Sequence, residues 1–266
     1  MLCINAEIIT FGRELLIGNT INTNGAWIAK QLTSLGITVT RITVAGDTVS
    51  EISLAVAESV ARNPSLIITT GGLGSTYDDL TFDGLASALS IPKETNAEAL
   101  DQVRARYRSL KLEMSPWRKK MAVMPSGAKP MTNRLGSAPG MFLEHKEIMI
   151  FSLPGVPKEM MGMFTDQVLR IIKARTSPQT FREKTFIIEG VPESSLAPII
   201  EKWLGTSKDV YLKSHPSGSE GKPTITIHLS AMGPDAGALD EAILNAESTF
   251  SKLVESAGGK IRRGRS

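Results

Sequence analysis

Apolar positions in the first 170 or so residues follow two alternating periods. Residues 6–10, 37–44 and 66–70 are short runs, apolar or rich in β-branched side chains, with the length and composition of strands. Between them, residues 24–35 place Trp27, Ile28, Leu32 and Leu35 at helical spacing, and Gly36 stops the run. Thr48 and Glu51 have capping-box spacing at the head of a helix that reaches about Arg62, before Pro64. Residues 82–89 predict a helix ended before Pro92, and Thr95 with Glu98 repeats the capping box before a helix to about Leu110. Residues 141–143 and 148–151 read as a strand pair, and Pro157 suits the first turn of a helix over 158–173.

Strands separated by helices imply parallel pairing with right-handed crossovers. The expected fold class is α/β: a three-layer α/β/α sandwich with a mostly parallel sheet, over residues 1–176. Beyond residues 175–178 the pattern changes. Residues 184–189 and 224–229 read as strands, 194–204 and 236–257 as helices, giving a small α+β domain over 180–262.

Ligands of such sheets bind at the carboxyl ends of the strands. There the string TTGGLGSTYDDLT (residues 69–81) follows a buried strand with glycines, hydroxyls and two adjacent carboxylates. Backbone N–H groups around Gly71, Gly72 and Gly74 form a candidate phosphate nest, with Ser75 and Thr76 as hydroxyl donors. Asp78 is a candidate ligand for a hard cation, Asp79 and Thr81 candidate helix caps. Glu14, Asn22 and Asn24 follow the first strand, and Gly46-Asp47 the second. A fourth loop carries Asn133 and Gly136, and a fifth, LPGVPKEM (153–160), carries Gly155. Several such loops on one edge argue more strongly than any one. The histidines show no ligand spacing and no serine–acid context.

Hydrophobic content of 41% and charged content of 21% describe an ordinary globular chain. Net charge is only +3, so bulk charge does not announce nucleic acid. A basic cluster from Arg104 to Lys120 and a basic end at 260–265 read first as a solvated face and a tail. The single cysteine, Cys3, excludes an intrachain disulfide and reads as a small hydrophobe in the first strand. No apolar run reaches membrane-span length and no signal-peptide pattern opens the chain, so a cytoplasmic protein without a membrane partner is expected.

With ELLIG and NTN (14–24), Gly46-Asp47, TTGGLGSTYDDLT, the string at 133–140 and LPGVPKEM, the chain resembles the MoaB/Mog-like domain of molybdenum-cofactor synthesis and, within that group, CinA-like proteins. The second domain resembles their KH-like middle domain; a KH-type RNA clamp is not expected there. The amidohydrolase domain that many CinA proteins carry has no counterpart here, so nicotinamide-mononucleotide deamidation is not expected. Arg13 stands where many members have aspartate, and Ser75 where proline is usual.

The resemblance implies a nucleotide or pterin substrate and a homo-oligomer. It implies either hydrolysis of a phosphoanhydride, ADP-ribose giving AMP and ribose 5-phosphate, or adenylyl transfer to molybdopterin. A non-catalytic nucleotide-binding module is the third alternative. On this reading Asp78, Asp47 and Glu14 are the catalytic residues, with Asp78 and Asp47 the metal ligands. Gly71, Gly72, Gly74, Ser75, Thr76, Asn24, Asn133, Gly136 and Gly155 bind substrate. The expected cofactor is a divalent cation, Mg²⁺, Mn²⁺ or Co²⁺, with a monovalent cation as a second candidate.

Overall fold

A computed structural model describes residues 4–175, 179–205, 209–219 and 222–263. Cys3 lies outside the described residues. The chain divides into two compact units, residues 1–33 with 37–177, and residues 178–266 with 34–36.

In the first unit β1 (Asn5–Phe11) is followed by the short α1 (Arg13–Leu16), α2 (Thr23–Ser34), β2 (Thr38–Ala45), α3 (Val49–Ala61) and β3 (Leu66–Thr70). Next come α4 (Thr81–Leu89), β4 (Lys93–Thr95), α5 (Ala97–Ser109), α6 (Pro116–Lys120), β5 (Val123–Pro125) and β6 (Lys129–Met131). The unit closes with β7 (Gly140–His145), β8 (Ile148–Leu153), α7 (Pro157–Met163), a π-helical stretch Phe164–Val168 and α8 (Leu169–Arg175). The main sheet has the order β2-β1-β3-β8-β7-β6. Its first four strands are parallel, β7 runs against them, and edge strand β6 pairs antiparallel with β7.

Period-2 alternation sends neighbouring strand residues to opposite faces. Ile9, Ile67 and Ile150 meet Val56 of α3, Leu85 of α4 and Val103 of α5 on one face. Toward the other, Trp27 of α2 packs edge-on against Phe164, ring centres 5.3 Å apart. Helices on both faces explain why every residue of β3 is buried. The α/β/α sandwich read from the periodicity is therefore the observed fold.

Three local expectations are corrected. The cap of α5 is Asn96, whose side chain accepts from the Ala99 N–H at 3.0 Å; Thr95 is drawn into β4 by pairing with Val123. Thr81 does not cap α4; it is that helix's first residue, and Leu80 precedes it without a side-chain cap. The last helix is continuous but π-wound at its centre, where Gln167 exchanges hydrogen bonds with the backbone of Thr132, 2.9 Å from its N–H and 2.7 Å from its carbonyl. That side chain covers the free backbone beside edge strand β6. The capping box of Thr48 and Glu51 is present as expected.

The second unit contains β9 (Thr180–Glu189), α9 (Glu193–Leu204), β10 (Tyr211–Ser219), β11 (Lys222–Gly233), α10 (Ala236–Ser256) and β12 (Lys260–Arg263). Its antiparallel sheet has the order β10-β11-β9-β12. Phe186, Ile188, Ile225 and Ile227 form a core with Trp203 of α9 and Phe250 of α10. The basic stretch from Lys260 is thus a strand paired with β9, contrary to its reading as a tail. One string, Gly218-Ser219-Glu220-Gly221, does fit the Gly-X-X-Gly spacing of a KH backbone clamp. Its last two residues lie outside the described residues, and the strands on either side of it, β10 and β11, pair antiparallel.

Two features of the first unit test its packing. Glu7, only 3% exposed in β1, takes two 2.7 Å hydrogen bonds from the Arg62 guanidinium beyond α3. Burial pushes its carboxyl up, but the hydrogen bonds and charge of Arg62 outweigh this and hold it below the ordinary glutamate range. The ion pair therefore stabilises fully above that range, and its contribution fades as pH falls through the depressed value. Glu7→Gln should cost about 2 kcal/mol at neutral pH in urea denaturation, the worth of hydrogen bonds to a charged group. Its difference from wild type should narrow in acid, and a pH-independent difference would refute the assignment. In α4, a Cβ on Gly84 would lie 2.2 Å from Ile52 Cγ2 of α3. Helix propensity favours Gly84→Ala by about 1 kcal/mol, yet overpacking costs about 1–3 kcal/mol. A net loss of about 1 kcal/mol is expected, and a stabilised variant would show that the two helices separate freely.

Candidate functional site

The parallel strands β1, β2, β3 and β8 deliver their carboxyl ends to one edge of the sheet. Because β7 is antiparallel to β8, its leading residue Gly140 arrives at the same edge, bringing the 132–139 loop with it. The chain reverses its direction of growth between β1 and β3, with β2 outside β1 and β8 outside β3. That reversal leaves a crevice at the sheet edge.

Gly71 shapes it. This residue has φ +107°, and an added Cβ would stand 2.4 Å from the Phe11 carbonyl oxygen. Gly71 N–H donates to the Leu153 carbonyl at 3.0 Å, so the departing β3 chain stays tied to β8. Thr81 Oγ1 donates to the Gly71 carbonyl at 2.8 Å, and Thr81 N–H to that of Gly72 at 3.1 Å. These bonds anchor the start of α4 to the glycine turn.

The crevice, about 110 Å³, is lined among others by Thr10, Glu14, Asn22, Asn24, Gly71 and Gly155. No Lys or Arg is among its lining residues. Asn22 serves α2 as a cap, accepting from Gly25 N–H at 2.9 Å, and meets the Thr10 hydroxyl at 3.0 Å. Asn24 lies inside α2, 7% exposed, and donates from Nδ2 to Gly155 O at 2.8 Å and Thr70 Oγ1 at 3.1 Å. Its Oδ1 is buried without a partner. An orphaned acceptor of this kind costs about 1–3 kcal/mol. The hydroxyls of Thr10 and Thr70, at the last turns of their strands, were not singled out from the sequence. Only their place just before glycine turns hinted at them.

The remaining candidates separate. Asp47 accepts from Arg13 N–H at 3.4 Å, beyond β2. Asp78 is exposed beyond β3, with its carboxylate against the Thr76 hydroxyl. Asp79 turns inward: its Oδ2 accepts from Thr76 N–H at 2.8 Å and lies 2.6 Å from Thr76 Oγ1. Asp47 and Asp78 thus stand on different loops. Among the described residues, no group of three or more His, Cys, Asp or Glu able to hold a metal occurs. Thr76 has one hydroxyl proton between two carboxylates. That surplus of hard oxygens fits a cation which also takes ligands from phosphate and water, as Mg²⁺ commonly does, in place of a closed protein cage.

Asn133 and Gly136 do not reach the crevice. Asn133 Oδ1 accepts from Gly136 N–H at 2.7 Å, and its Nδ2 donates to Ala138 O at 2.9 Å and Glu159 at 2.7 Å. This side chain is spent on shaping its own loop. The carbonyls of Pro154 and Gly155 are similarly occupied, by Thr70 Oγ1 and Asn24. The basic cluster divides as well. Arg118 lies 4.3 Å over the Tyr107 ring, Arg106 donates to Leu135 O, and Lys120 Nζ donates to Thr76 O at 2.8 Å.

A family model described as a probable molybdopterin binding domain matches residues 7–174. A protein of Sulfurisphaera tokodaii is 43% identical over 96% of this chain and 97% of its own length. One of Pyrobaculum arsenaticum is 42% identical over 94% and 93%. The crystal structure of the protein CinA from Thermoplasma acidophilum, described as of unknown function, is 35% identical and superimposes with a TM-score of 0.59, covering 63% of this chain and 98% of that one. No helix among the described residues is long and apolar enough to cross a membrane. The chain therefore belongs to the family of MoaB/Mog-like molybdopterin-binding domains, as a CinA-like member.

Proposed function

We propose that the first unit hydrolyses a phosphoanhydride in ADP-ribose or a related nucleotide, with a divalent cation. One observation carries this reading: the crevice offers hydroxyls, amides and a carboxylate but no cationic side chain. A pyrophosphate placed there needs its charge neutralised by backbone N–H groups and a metal ion. Gly71 lines the crevice, and Gly72 and Gly74 continue the same turn toward Thr76 and Asp78. Asp78, beside Thr76, would hold the cation jointly with the substrate's phosphate oxygens. A cation held there would supply electrostatic stabilisation of the transferring phosphoryl group. Glu14 is exposed at the crevice rim, and on this reading it would take a proton from the attacking water. Water attacks one phosphorus, the bond to the bridging oxygen breaks, and AMP and ribose 5-phosphate leave. Asp47, tied to the Arg13 backbone on the neighbouring loop, orients that loop.

A second reading, a molybdopterin-binding protein, is favoured by the family description of residues 7–174. The two differ in what is retained and what is released. Under the first, incubation with ADP-ribose and Mg²⁺, Mn²⁺ or Co²⁺ releases AMP. Asp78→Ala should then lower the rate by about 100-fold or more while leaving the melting temperature within about 2 °C, since the side chain is exposed. Wild-type rates in Asp78→Ala, or release undisturbed by a chelator, would refute the reading. Molybdopterin retained through purification, with no AMP released, would select the second.

A further inference from the structure

Two of the three histidines meet in the second unit. His215 of β10 and His228 of β11 lie edge to face, their ring centres 5.1 Å apart. Strand register brings them together. His228 pairs with Lys213 and His215 with Thr226, so the histidines are diagonal neighbours on one face of the sheet. The alternate residues of β11, Ile225, Ile227 and Leu229, are buried on the other face with Trp203 of α9 and Phe250 of α10. His215 is exposed and His228 half-buried, so neither imidazole is spent on the core.

Their spacing is that of a chelate. Two imidazoles bound to one tetrahedral ion through nitrogens at about 2.0–2.1 Å have ring centres about 5 Å apart. Rotation about χ2, a broad torsion for histidine, is the adjustment that turns a nitrogen of each ring toward a common ion. One ring is also oriented. Thr185 Oγ1 of β9 lies 3.0 Å from His228 Nδ1. With Nδ1–H donating to that hydroxyl, Nε2 keeps its lone pair for a metal, and ligating histidines are commonly held in this way. Strand β11 is paired on both sides, so the three side chains stand on a hydrogen-bonded frame.

The donor set selects the ion. Neutral imidazoles suit Zn²⁺, Ni²⁺ and Cu²⁺, whereas Mg²⁺ favours carboxylate, carbonyl and water oxygens. Among the described residues no third His, Cys, Asp or Glu joins the pair, which leaves the remaining positions to water. Lys213, directly opposite His228, opposes a cation there, and Glu183 stands diagonally across on β9.

We propose that His215 and His228 form a two-histidine site for a divalent transition-metal ion, with Thr185 orienting His228 and water completing the coordination. The site is separate from the hard-oxygen cation site of the first unit and independent of any reaction there. A bound ion ties edge strand β10 to central strand β11 through side chains as well as backbone.

Isothermal titration calorimetry of the untagged full chain with Ni²⁺, in buffer containing excess Mg²⁺ to fill any hard-oxygen site, tests this. Ni²⁺ should bind saturably, and raising Mg²⁺ further should leave its affinity within about twofold. His215→Ala and His228→Ala should each weaken it by about tenfold or more, since either leaves a single imidazole. Thr185→Val should weaken it by about tenfold, as loss of an orienting partner does. Lys213→Glu, which exchanges a repelling cation for an oxygen ligand, should tighten it, and His145→Ala should leave it unchanged. Melting temperatures without metal will show that the variants fold; His215 is exposed, so His215→Ala decides the matter should His228→Ala fail to fold. The proposal is overturned if Ni²⁺ does not bind, if His215→Ala binds it as wild type does, or if Mg²⁺ displaces it. Wild-type affinity in Thr185→Val overturns the orienting bond. The measurement needs no turnover, so an inactive hydrolase would not affect it, and a failed titration would leave the hydrolysis assay standing.

Discussion

The close approach of β3 to β1 at their carboxyl ends governs the site. At Gly71 the chain must leave the sheet with a positive φ and pass against the Phe11 carbonyl, where no Cβ fits. Backbone occupying that space leaves a narrow crevice and forces the following loop outward. Gly72 continues the turn at φ +64°, where a Cβ would strike Thr81 Oγ1. Thr81 then returns the chain to the sheet through the Gly71 and Gly72 carbonyls. The crevice on one side and, on the other, a basic cleft lined by Gly74, Asp79, Arg104 and Lys119 are both consequences of that turn.

The acidic residues of this edge fall into two groups. Glu51 folds over Gly46, Asp79 over Gly74 and Glu159 over Gly136, each so near that a Cβ on the glycine would overlap a carboxylate oxygen. These carboxylates close their own loops. Hydrogen bonds from the Thr48 side chain, then its backbone, hold the Glu51 carboxyl below its ordinary range, as befits an internal acceptor. Glu14 also rests over a glycine, Gly12, but it is exposed at the crevice and its carboxylate accepts no hydrogen bond from the described residues. Asp78 is exposed with a single hydroxyl contact. Carboxylates less committed to the scaffold are the ones available for water, cation or substrate.

The cations follow a similar division. In sequence, Arg104 to Lys120 is one basic cluster. In space, the antiparallel pair β4–β5 and helices α5 and α6 sort its members among different tasks. Arg118 stacks on Tyr107, Arg106 holds the Leu135 carbonyl, and Lys120 steadies the loop at Thr76. Arg104 and Lys119 remain directed to the cleft wall.

By itself the sequence determined the sandwich, the strands that enter it and the edge carrying the glycine loops. Those features depend on hydrophobic period and local turn chemistry, which neighbouring residues encode. It also marked Glu14, Asn24, Gly71 and Gly155, which do meet in the crevice. Only the tertiary structure decided that Asn133 shapes its own loop, that Asp47 and Asp78 stand on separate loops, and that Thr95 belongs to a strand. It alone placed Arg104 and Lys119 on one cleft and left Asn24 with an unpaired oxygen. Each of these outcomes depends on which of several chemically competent partners lies within about 3 Å, and long-range packing sets that distance.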